Sequence, residues 1–276
     1  MGPASDPDSA RQITTGRLDG LNGAAFTPDH RIVYTGNHAE NWDLFIVDPD
    51  GKNGRQLSFD RRYHEGAAVC EQGRSVVYDS DLAGGRHIWK LDLKSGADTQ
   101  LTDGEAEALA QCGLEGDWVF YLGQTSAGQS KIFKVPVAGG KPTPISEDVS
   151  LSPPFVSPDG KHVLFAGIVK DGRVLIRVVS SETGKVEREI PPKETFDTVA
   201  RSANWMPGNR SIAFGDIRTG TPNLWSQQVI GSGKEKQLTH SSSGVIWNFA
   251  YSHDGKLIVM VRGTNQSDAV LFTSGK

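Results

Sequence analysis

Glycine–lysine pairs in tight turns come first, because such a pair can cradle a phosphate. The stretches "AGGKPT" (138–143) and "GSGKEK" (231–236) each contain one, and another lies in "FVSPDGKHVLFAG" (155–167). A nucleotide-binding loop follows the pattern G-x-x-x-x-G-K-[ST]. Neither of the first two stretches has serine or threonine after the lysine, nor the earlier glycine at the required spacing. These stretches are therefore predicted to be hairpin turns.

Metal-binding and catalytic spacings are also missing from the sequence. "DPDGKNG" (48–54) resembles a calcium loop, but Lys52 stands at a ligand position and Asn53 replaces the required glycine. The histidines lack H-x-x-x-H and H-E-x-x-H spacings, and no G-x-S-x-G nucleophile elbow is present. Single histidines from different parts of the chain could still converge in a lyase-type site, and the candidates are His38, His64 and His87. Apart from that alternative, we expect no catalytic residue, no metal and no cofactor.

Charge and hydropathy argue against two classes of partner. The 276 residues have a formal net charge of −4, with lysine and arginine spread along the chain, so nucleic acid is not an expected partner. No apolar stretch approaches the roughly 20 residues that span a bilayer, so direct membrane insertion is not expected. Cys70 and Cys112 fall in predicted inner strands and are interpreted as small, buried apolar residues that indicate no redox compartment.

A repeat of about 45 residues becomes visible when the Pro-Asp-Gly-Lys turn at 158–161 is used as an anchor. Successive anchors are 43, 44, 43, 49 and 46 residues apart. Each is followed by an apolar run, a polar loop, a second β-rich run, a glycine-rich turn and a short polar strand. The anchors are Pro28, Glu71, Glu115, Pro158, Pro207 and His253. This pattern predicts four short strands in each unit.

The apolar runs of these units, such as "SVVYDS" and "HVLFAG", are nearly continuous, which indicates strands covered on both faces. Sheets stacked radially about an axis satisfy this requirement, so the sequence predicts an all-β fold: a six-bladed β-propeller of four-stranded antiparallel blades. "RQITTG" (11–16) looks like the fourth strand that the sixth unit lacks after "DAVLFTSGK" (268–276), so this N-terminal strand is expected to complete the last blade. We expect residues 11–276 to form one propeller domain. Residues 1–10, which lack apolar periodicity, are interpreted as a disordered linker or an added start.

The units resemble the PD40, or TolB-like, repeats of bacterial six-bladed propellers, most closely in "VSPDGKHVLFAG", "YSHDGKLIVMVRG" and "DLFIVDPDGKNGRQLS". "TGTPNLWSQQ" and "SDAVLFTSGK" are similar to the ends of propellers carried by some bacterial serine/threonine protein kinases and winged-helix regulators. This resemblance implies a noncatalytic sensor or interaction module that forms the C-terminal part of a larger bacterial signalling protein. A fused kinase or DNA-binding domain would then lie elsewhere in the full protein. An extracytoplasmic or periplasmic location is favoured over a cytoplasmic one.

The direction of the strands sorts the loops into two faces of the predicted ring. The longer and more varied loops share one face with the blade-to-blade connections, and loops on a rigid scaffold are where binding residues concentrate. We therefore expect a protein, a peptide or a polar small molecule to bind at this face and at the central opening. Trp247 and Arg201 are the leading candidates, because tryptophan and arginine are common hot-spot residues. The predicted binding residues are Trp42, Tyr63, His64, Glu65, Arg86, Arg201, Arg218, Trp247 and Asn248.

Two alternatives remain open at this point. The first is a propeller enzyme of the lyase or hydrolase type with its site at the central opening, which would require at least two titratable groups converging there. The second is a stand-alone TolB-like scaffold of the cell envelope.

Overall fold

Short apolar runs separated by glycine- and proline-containing turns form the strands of this protein. The computed structural model describes residues 1–38, 41–191 and 203–264. In these residues the strands form six antiparallel sheets, each hydrogen-bonded mainly between sequence neighbours. The sheets are the blades of a β-propeller, and the predicted fold class is confirmed.

The strands of the first three blades are as follows. Strand β1 is Gly2–Pro3, and the first blade contains β2 (Ala24–Phe26), β3 (Ile32–His38), β4 (Asn41–Val47) and β5 (Arg55–Gln56). The second blade contains β6 (His64–Cys70), β7 (Ser75–Ser80), β8 (His87–Asp92) and β9 (Asp98–Gln100). The third contains β10 (Glu107–Cys112), β11 (Trp118–Gln124), β12 (Ser130–Pro136) and β13 (Thr143–Pro144).

The remaining blades follow the same order. The fourth contains β14 (Val149–Ser150), β15 (Phe155–Val156), β16 (His162–Ile168), β17 (Val174–Ser180) and β18 (Val186–Ile190). The fifth contains β19 (Ala203–Trp205), β20 (Ser211–Asp216), β21 (Asn223–Gln228) and β22 (Lys236–Gln237). The sixth contains β23 (Val245–Tyr251) and β24 (Leu257–Gly263). Two 3-10 turns lie at Pro7–Ser9 and Glu71–Gly73.

The hydrophobic core lies between neighbouring blades. Val76 and Val77 are adjacent in β7, and both side chains are fully buried. Val76 packs with the first blade in a cluster that includes Val33, whereas Val77 packs with the third blade in a cluster that includes Val119. Alternate residues of one strand thus face opposite neighbours. This arrangement explains why the second strand of each blade reads as a continuous apolar run.

The two faces of the ring differ in the connections that they carry. We call the lower face the side on which the first strand of each blade turns into the second, as at 157–161. The upper face is the opposite side, which carries the connections between blades. At the lower-face turn 157–161, the Asp159 carboxylate accepts hydrogen bonds from the Ser157 hydroxyl (2.7 Å) and the Lys161 amide (3.1 Å). The Gly-Lys pair there belongs to a turn, as predicted.

An N-terminal strand pairs in the last blade, but it is not the predicted one. Residues 11–16 contain no strand, whereas Gly2 and Pro3 pair with Ile258 and Leu257 of β24. Hydrogen bonds between Met1 and Arg11 fold the first eleven residues back on themselves. The segment assigned to a linker therefore reaches the edge of β24, whose backbone groups need partners. The predicted strand in 268–276 lies outside the described residues.

A disulfide joins Cys70 to Cys112, with their Cα atoms 5.9 Å apart. Each cysteine is the last residue of the inner strand of its blade, β6 or β10, and neighbouring inner strands approach each other there. The interpretation of these cysteines as unpaired apolar residues was therefore wrong. Burial was correctly expected for Cys70, which is fully buried.

Among the described residues, no helix has the length and apolar character needed to cross a membrane.

Candidate functional site

The inner strands of the blades surround a central channel with a volume of about 390 Å³. Its wall is formed by residues from different blades, among them Leu109 and Trp247, and it presents polar and apolar surface in similar proportion. Phe155, Trp205 and Phe249 also border it, but their side chains are buried in the clusters between blades. Glu65 and Asn248 also line it. A channel of mixed polar and apolar character suits an extended peptide or a small molecule with both polar and apolar parts.

Three inner strands bulge toward the upper part of this channel. The register shifts between Glu65 and Ala68 in β6, and corresponding shifts occur in β10 and in β23. In β10 the bulge holds Leu109 at a φ of 57°, a left-handed conformation that is unfavourable for a large side chain. In β23 the bulge contains Trp247. Bulges redirect side chains, and here Leu109 and Trp247 both line the channel.

A charged network lies at the upper rim of the second blade. The Arg86 guanidinium donates to Glu65 Oε2 at 2.6 Å and, through Nε, to Asp79 Oδ2 at 3.1 Å. The Tyr63 hydroxyl donates to the same Glu65 oxygen at 2.9 Å, and the Arg86 guanidinium lies 5.4 Å from the centre of the Tyr63 ring. Three predicted binding residues, Tyr63, Glu65 and Arg86, are thus brought together.

Asp79 anchors this network from inside the protein. Its side chain is fully buried, and its Oδ1 accepts a hydrogen bond from the Leu109 amide at 2.9 Å. Burial raises the pKa of Asp79 to about 6, although pairing with Arg86 acts in the opposite direction. Burial also raises the pKa of Tyr63 to about 12, with the Glu65 charge as the second cause. Asp79 therefore links the rim of the second blade to the bulge of the third.

His64 holds two upper-face segments together. Its imidazole is fully buried, with Nδ1 2.9 Å from the Trp42 carbonyl oxygen and 2.8 Å from the Arg62 carbonyl oxygen. Both partners are acceptors, so Nδ1 is a hydrogen-bond donor here. Nε2 lies 3.2 Å from Asp60 Oδ2. With both nitrogens engaged, His64 positions the neighbouring loops and does not open to the channel.

The other histidine candidate is engaged with a different carboxylate. His87 Nδ1 lies 3.1 Å from Glu107 Oε2, and both side chains are largely buried. His64 and His87 both pair with Ser80, so they are two strands, or about 10 Å, apart. The two imidazoles therefore do not share a carboxylate: His64 faces Asp60, and His87 faces Glu107. His38 has its backbone in β3, but its side chain lies outside the described part of the chain.

The remaining predicted residues fall into three groups. Trp247 and Asn248 line the channel, as expected for residues at a central opening. Arg218 lies on the fifth blade over the Trp225 ring, 4.4 Å from its centre, and pairs with Asp216 and Glu235. It is not among the residues that line the channel. Trp42 meets Tyr63 edge-on at 6.4 Å, outside the channel lining. Arg201 lies outside the described residues.

Two buried acids of this region were not predicted. Asp79 interrupts the apolar run "SVVYDS". An acidic residue within such a run could have been recognised from the sequence as a candidate buried acid. Glu107 begins β10 and accepts a hydrogen bond from the Gly104 amide as well as facing His87. Within residues 1–38, 41–191 and 203–264, no group of three or more His, Cys, Asp or Glu side chains could hold a metal ion.

Comparison with known proteins shows similarity to TolB propellers in sequence pattern and in fold. Residues 6–196 match the family model of the TolB beta propeller domain, PD40. No curated protein sequence matches the chain.

Several solved structures share the fold. TolB from Acinetobacter baumannii is 18% identical with a TM-score of 0.67, and the match covers 84% of this chain and 61% of that one. A putative TolB from Agrobacterium tumefaciens is 20% identical with a TM-score of 0.65, covering 80% and 78%. Hydrazine synthase from Kuenenia stuttgartiensis is 14% identical with a TM-score of 0.62, covering 91% and 76%. The match thus spans less than two thirds of the Acinetobacter protein.

Proposed function

The chain belongs to the TolB β-propeller domain family, and we propose that it is a noncatalytic binding module. Its ligand is a protein, a peptide or a polar small molecule, which binds at the upper face and the central channel. One observation carries the proposal. The Tyr63–Glu65–Arg86 network stands at the rim of the open channel, and its groups are ordered by the buried Asp79. A rigid rim of this kind lowers the entropic cost of binding.

The channel chemistry indicates what part of a ligand would enter. Trp247 and Leu109 are placed in the lining by bulges, and Asn248 adds an amide beside them. An apolar side chain of the ligand would pack against Trp247, while its polar groups would meet the rim. His64 and His87 are engaged with separate carboxylates, which favours binding over acid–base catalysis.

We also place the domain in a larger bacterial signalling protein, as a sensor fused to a kinase or DNA-binding domain. This part rests on the resemblance of "TGTPNLWSQQ" and "SDAVLFTSGK" to the ends of such propellers. The full-length reading frame tests it directly. A frame without a catalytic or DNA-binding domain would contradict it.

An extracytoplasmic location is supported by the Cys70–Cys112 disulfide, because such bonds persist in oxidising compartments. The same bond favours a second candidate role, that of a stand-alone TolB-like scaffold in the cell envelope. An envelope scaffold would have no signalling domain in its reading frame, so that observation separates the two roles.

Thermal-shift measurements with a panel of synthetic peptides and small anions test binding at the channel. A ligand present at about 100 times its Kd should raise the Tm by about 5 °C. Trp247→Ala and Asn248→Ala should abolish this shift, and Arg201→Ala tests the remaining leading candidate. Lys161→Ala, on the lower face, is the matched control and should keep the full shift. An unchanged response in the Trp247→Ala variant would contradict the channel site.

A further inference from the structure

The connection between the first and second blades, residues 57–63, carries an unusual surface. It crosses the upper face from β5 to β6 and contains Phe59, Arg61 and Arg62. Phe59 is 74% exposed, more than any other large hydrophobic residue in the described part of the chain. We call these three residues the arginine patch. Trp42 and Tyr63 lie beside it and contact each other edge-on.

Within the described part of the chain, no acidic side chain pairs with the arginine patch. Arg61 and Arg62 are exposed, and among the described residues neither guanidinium has an acidic partner. Other upper-face arginines do: Arg86 and Arg218 each pair with two carboxylates. The neighbouring Asp60 is directed elsewhere, since it accepts from the Arg62 amide (2.8 Å) and faces His64 Nε2. The described residues thus leave two arginines without an acidic partner next to Phe59, the most exposed large hydrophobic residue among them.

The backbone of the patch is held in place from several sides. The Arg62 carbonyl is bonded to the buried His64 ring, and the Tyr63 amide donates to Asp81 Oδ1 at 3.1 Å. Arg61 has a φ of 60°, in the left-handed region where glycine would be less costly. Such a conformation costs the fold some stability, which makes the Arg61 side chain a candidate for a role outside folding.

We propose that the arginine patch docks an acidic segment of a partner protein. Carboxylates of that segment pair with Arg61 and Arg62, whose guanidinium groups donate bidentate hydrogen bonds to carboxylates, and an apolar side chain of the segment covers Phe59. This inference rests on the proposed binding role of the upper face and adds the chemistry of the partner. Anionic lipid fits less well, because two arginines and one phenylalanine provide weak membrane attachment. Nucleic acid would require more phosphate contacts than two arginines supply.

The test uses a phage-displayed library of random peptides selected on the full chain, followed by fluorescence anisotropy of the enriched peptides. Enriched sequences should carry at least two Asp or Glu residues next to an aromatic or aliphatic residue. Arg61→Ala with Arg62→Ala should weaken binding at least about tenfold, and Phe59→Ala should do the same. Replacing the acidic residues of the peptide by Asn and Gln should have a comparable effect. Arg74→Ala with Lys161→Ala on the lower face is the charge-matched control and should bind normally.

Arg61→Gly separates a binding role from a folding role. Glycine relieves the left-handed strain that alanine keeps, so Arg61→Gly should melt about 2 °C above Arg61→Ala. Both variants should lose binding equally. Equal binding by Arg61→Gly and the unsubstituted chain would overturn the proposal whatever the melting temperatures.

Other outcomes distinguish this inference from the proposed function. If enriched peptides depend on Trp247 but not on the arginine patch, the patch proposal is wrong and the channel site stands. If no peptide is enriched, or if enriched peptides are indifferent to both sites, the patch proposal is wrong, and the thermal-shift test with small anions decides the channel site. Binding to vesicles of phosphatidylcholine with 30% phosphatidylglycerol tests the alternative that the patch recognises a membrane surface. Patch-dependent vesicle binding without acidic-peptide binding would overturn the protein-partner proposal in favour of a membrane surface.

Discussion

The lower-face turns of the first, fourth and sixth blades can be compared with the junction of the second and third blades. In the fourth blade the Ser157 hydroxyl donates to Asp159, and in the sixth the Ser252 hydroxyl donates to Asp254, each at 2.7 Å. The first blade repeats this bond with a threonine. In the second unit, the position of Ser157 is taken by Cys70, which is bonded to Cys112 of the third blade.

This difference shows that the blades are stabilised in two ways. Regular blades are stabilised by bonds within one turn, whereas the second and third blades are joined by links between distant residues: the disulfide at the lower end and the Asp79 carboxylate under the Leu109 bulge at the upper end. The rim network and the arginine patch both adjoin this junction. Departure from the repeat therefore coincides with the candidate binding surface.

Breaking the covalent link should have the largest effect. Replacing both Cys70 and Cys112 by alanine should lower the free energy of unfolding by about 4 kcal/mol, because the bond closes a long loop in the unfolded chain. Chemical denaturation of the variant and of the oxidised chain measures this difference. A change below about 1 kcal/mol would mean that packing alone holds the junction.

The buried carboxylate should give the junction a pH dependence that regular blades lack. Because the pKa of Asp79 is raised from 3.8 to about 6, the folded protein holds this proton more tightly than the unfolded chain. The stabilisation is complete below about pH 4 and is lost as the pH rises to about 6, a change of about 3 kcal/mol. Relative to Asp79→Asn, the unsubstituted chain should therefore lose stability over this range. Parallel pH profiles in urea denaturation would contradict the assignment.

Removing a local turn bond should have the smallest effect. Asp159→Ala loses the hydrogen bonds from Ser157 and Lys161, so the free energy of unfolding should fall by about 1 kcal/mol. Peptide binding at the upper face should be unchanged. Asp171→Ala, which breaks an exposed pair with Arg173, is the control and should not alter the melting temperature. A larger loss for Asp159→Ala than for the cysteine variant would reverse the comparison.

The blade number could be predicted because turn chemistry is local. The Ser157–Asp159 turn needs only residues within five positions of each other, so its recurrence is visible in the sequence. The disulfide could not be predicted from turn chemistry, but the spacing of the two cysteines in the sequence pointed to it. Cys70 and Cys112 are 42 residues apart, close to one repeat, and thus occupy corresponding strands of neighbouring blades.

The candidate site was predicted only in part. Strand direction predicted Tyr63, Glu65 and Arg86 on one face, and hydrogen bonds join the three side chains in the structure. Loop length could not predict where the Arg218 side chain lies. Its direction is determined by the Trp225 ring beneath it and by the carboxylates with which it pairs. The burial of Asp79 likewise depends on the third blade, which lies more than 25 positions further along the chain.

The disulfide also determines what a protease can release. The upper-face loop at 81–86, between β7 and β8, lies between the two bonded cysteines. A cut in this loop would leave two fragments that are still covalently joined through Cys70 and Cys112. The nicked chain would keep its full mass until a reductant is added, and its two halves could not diffuse apart before then.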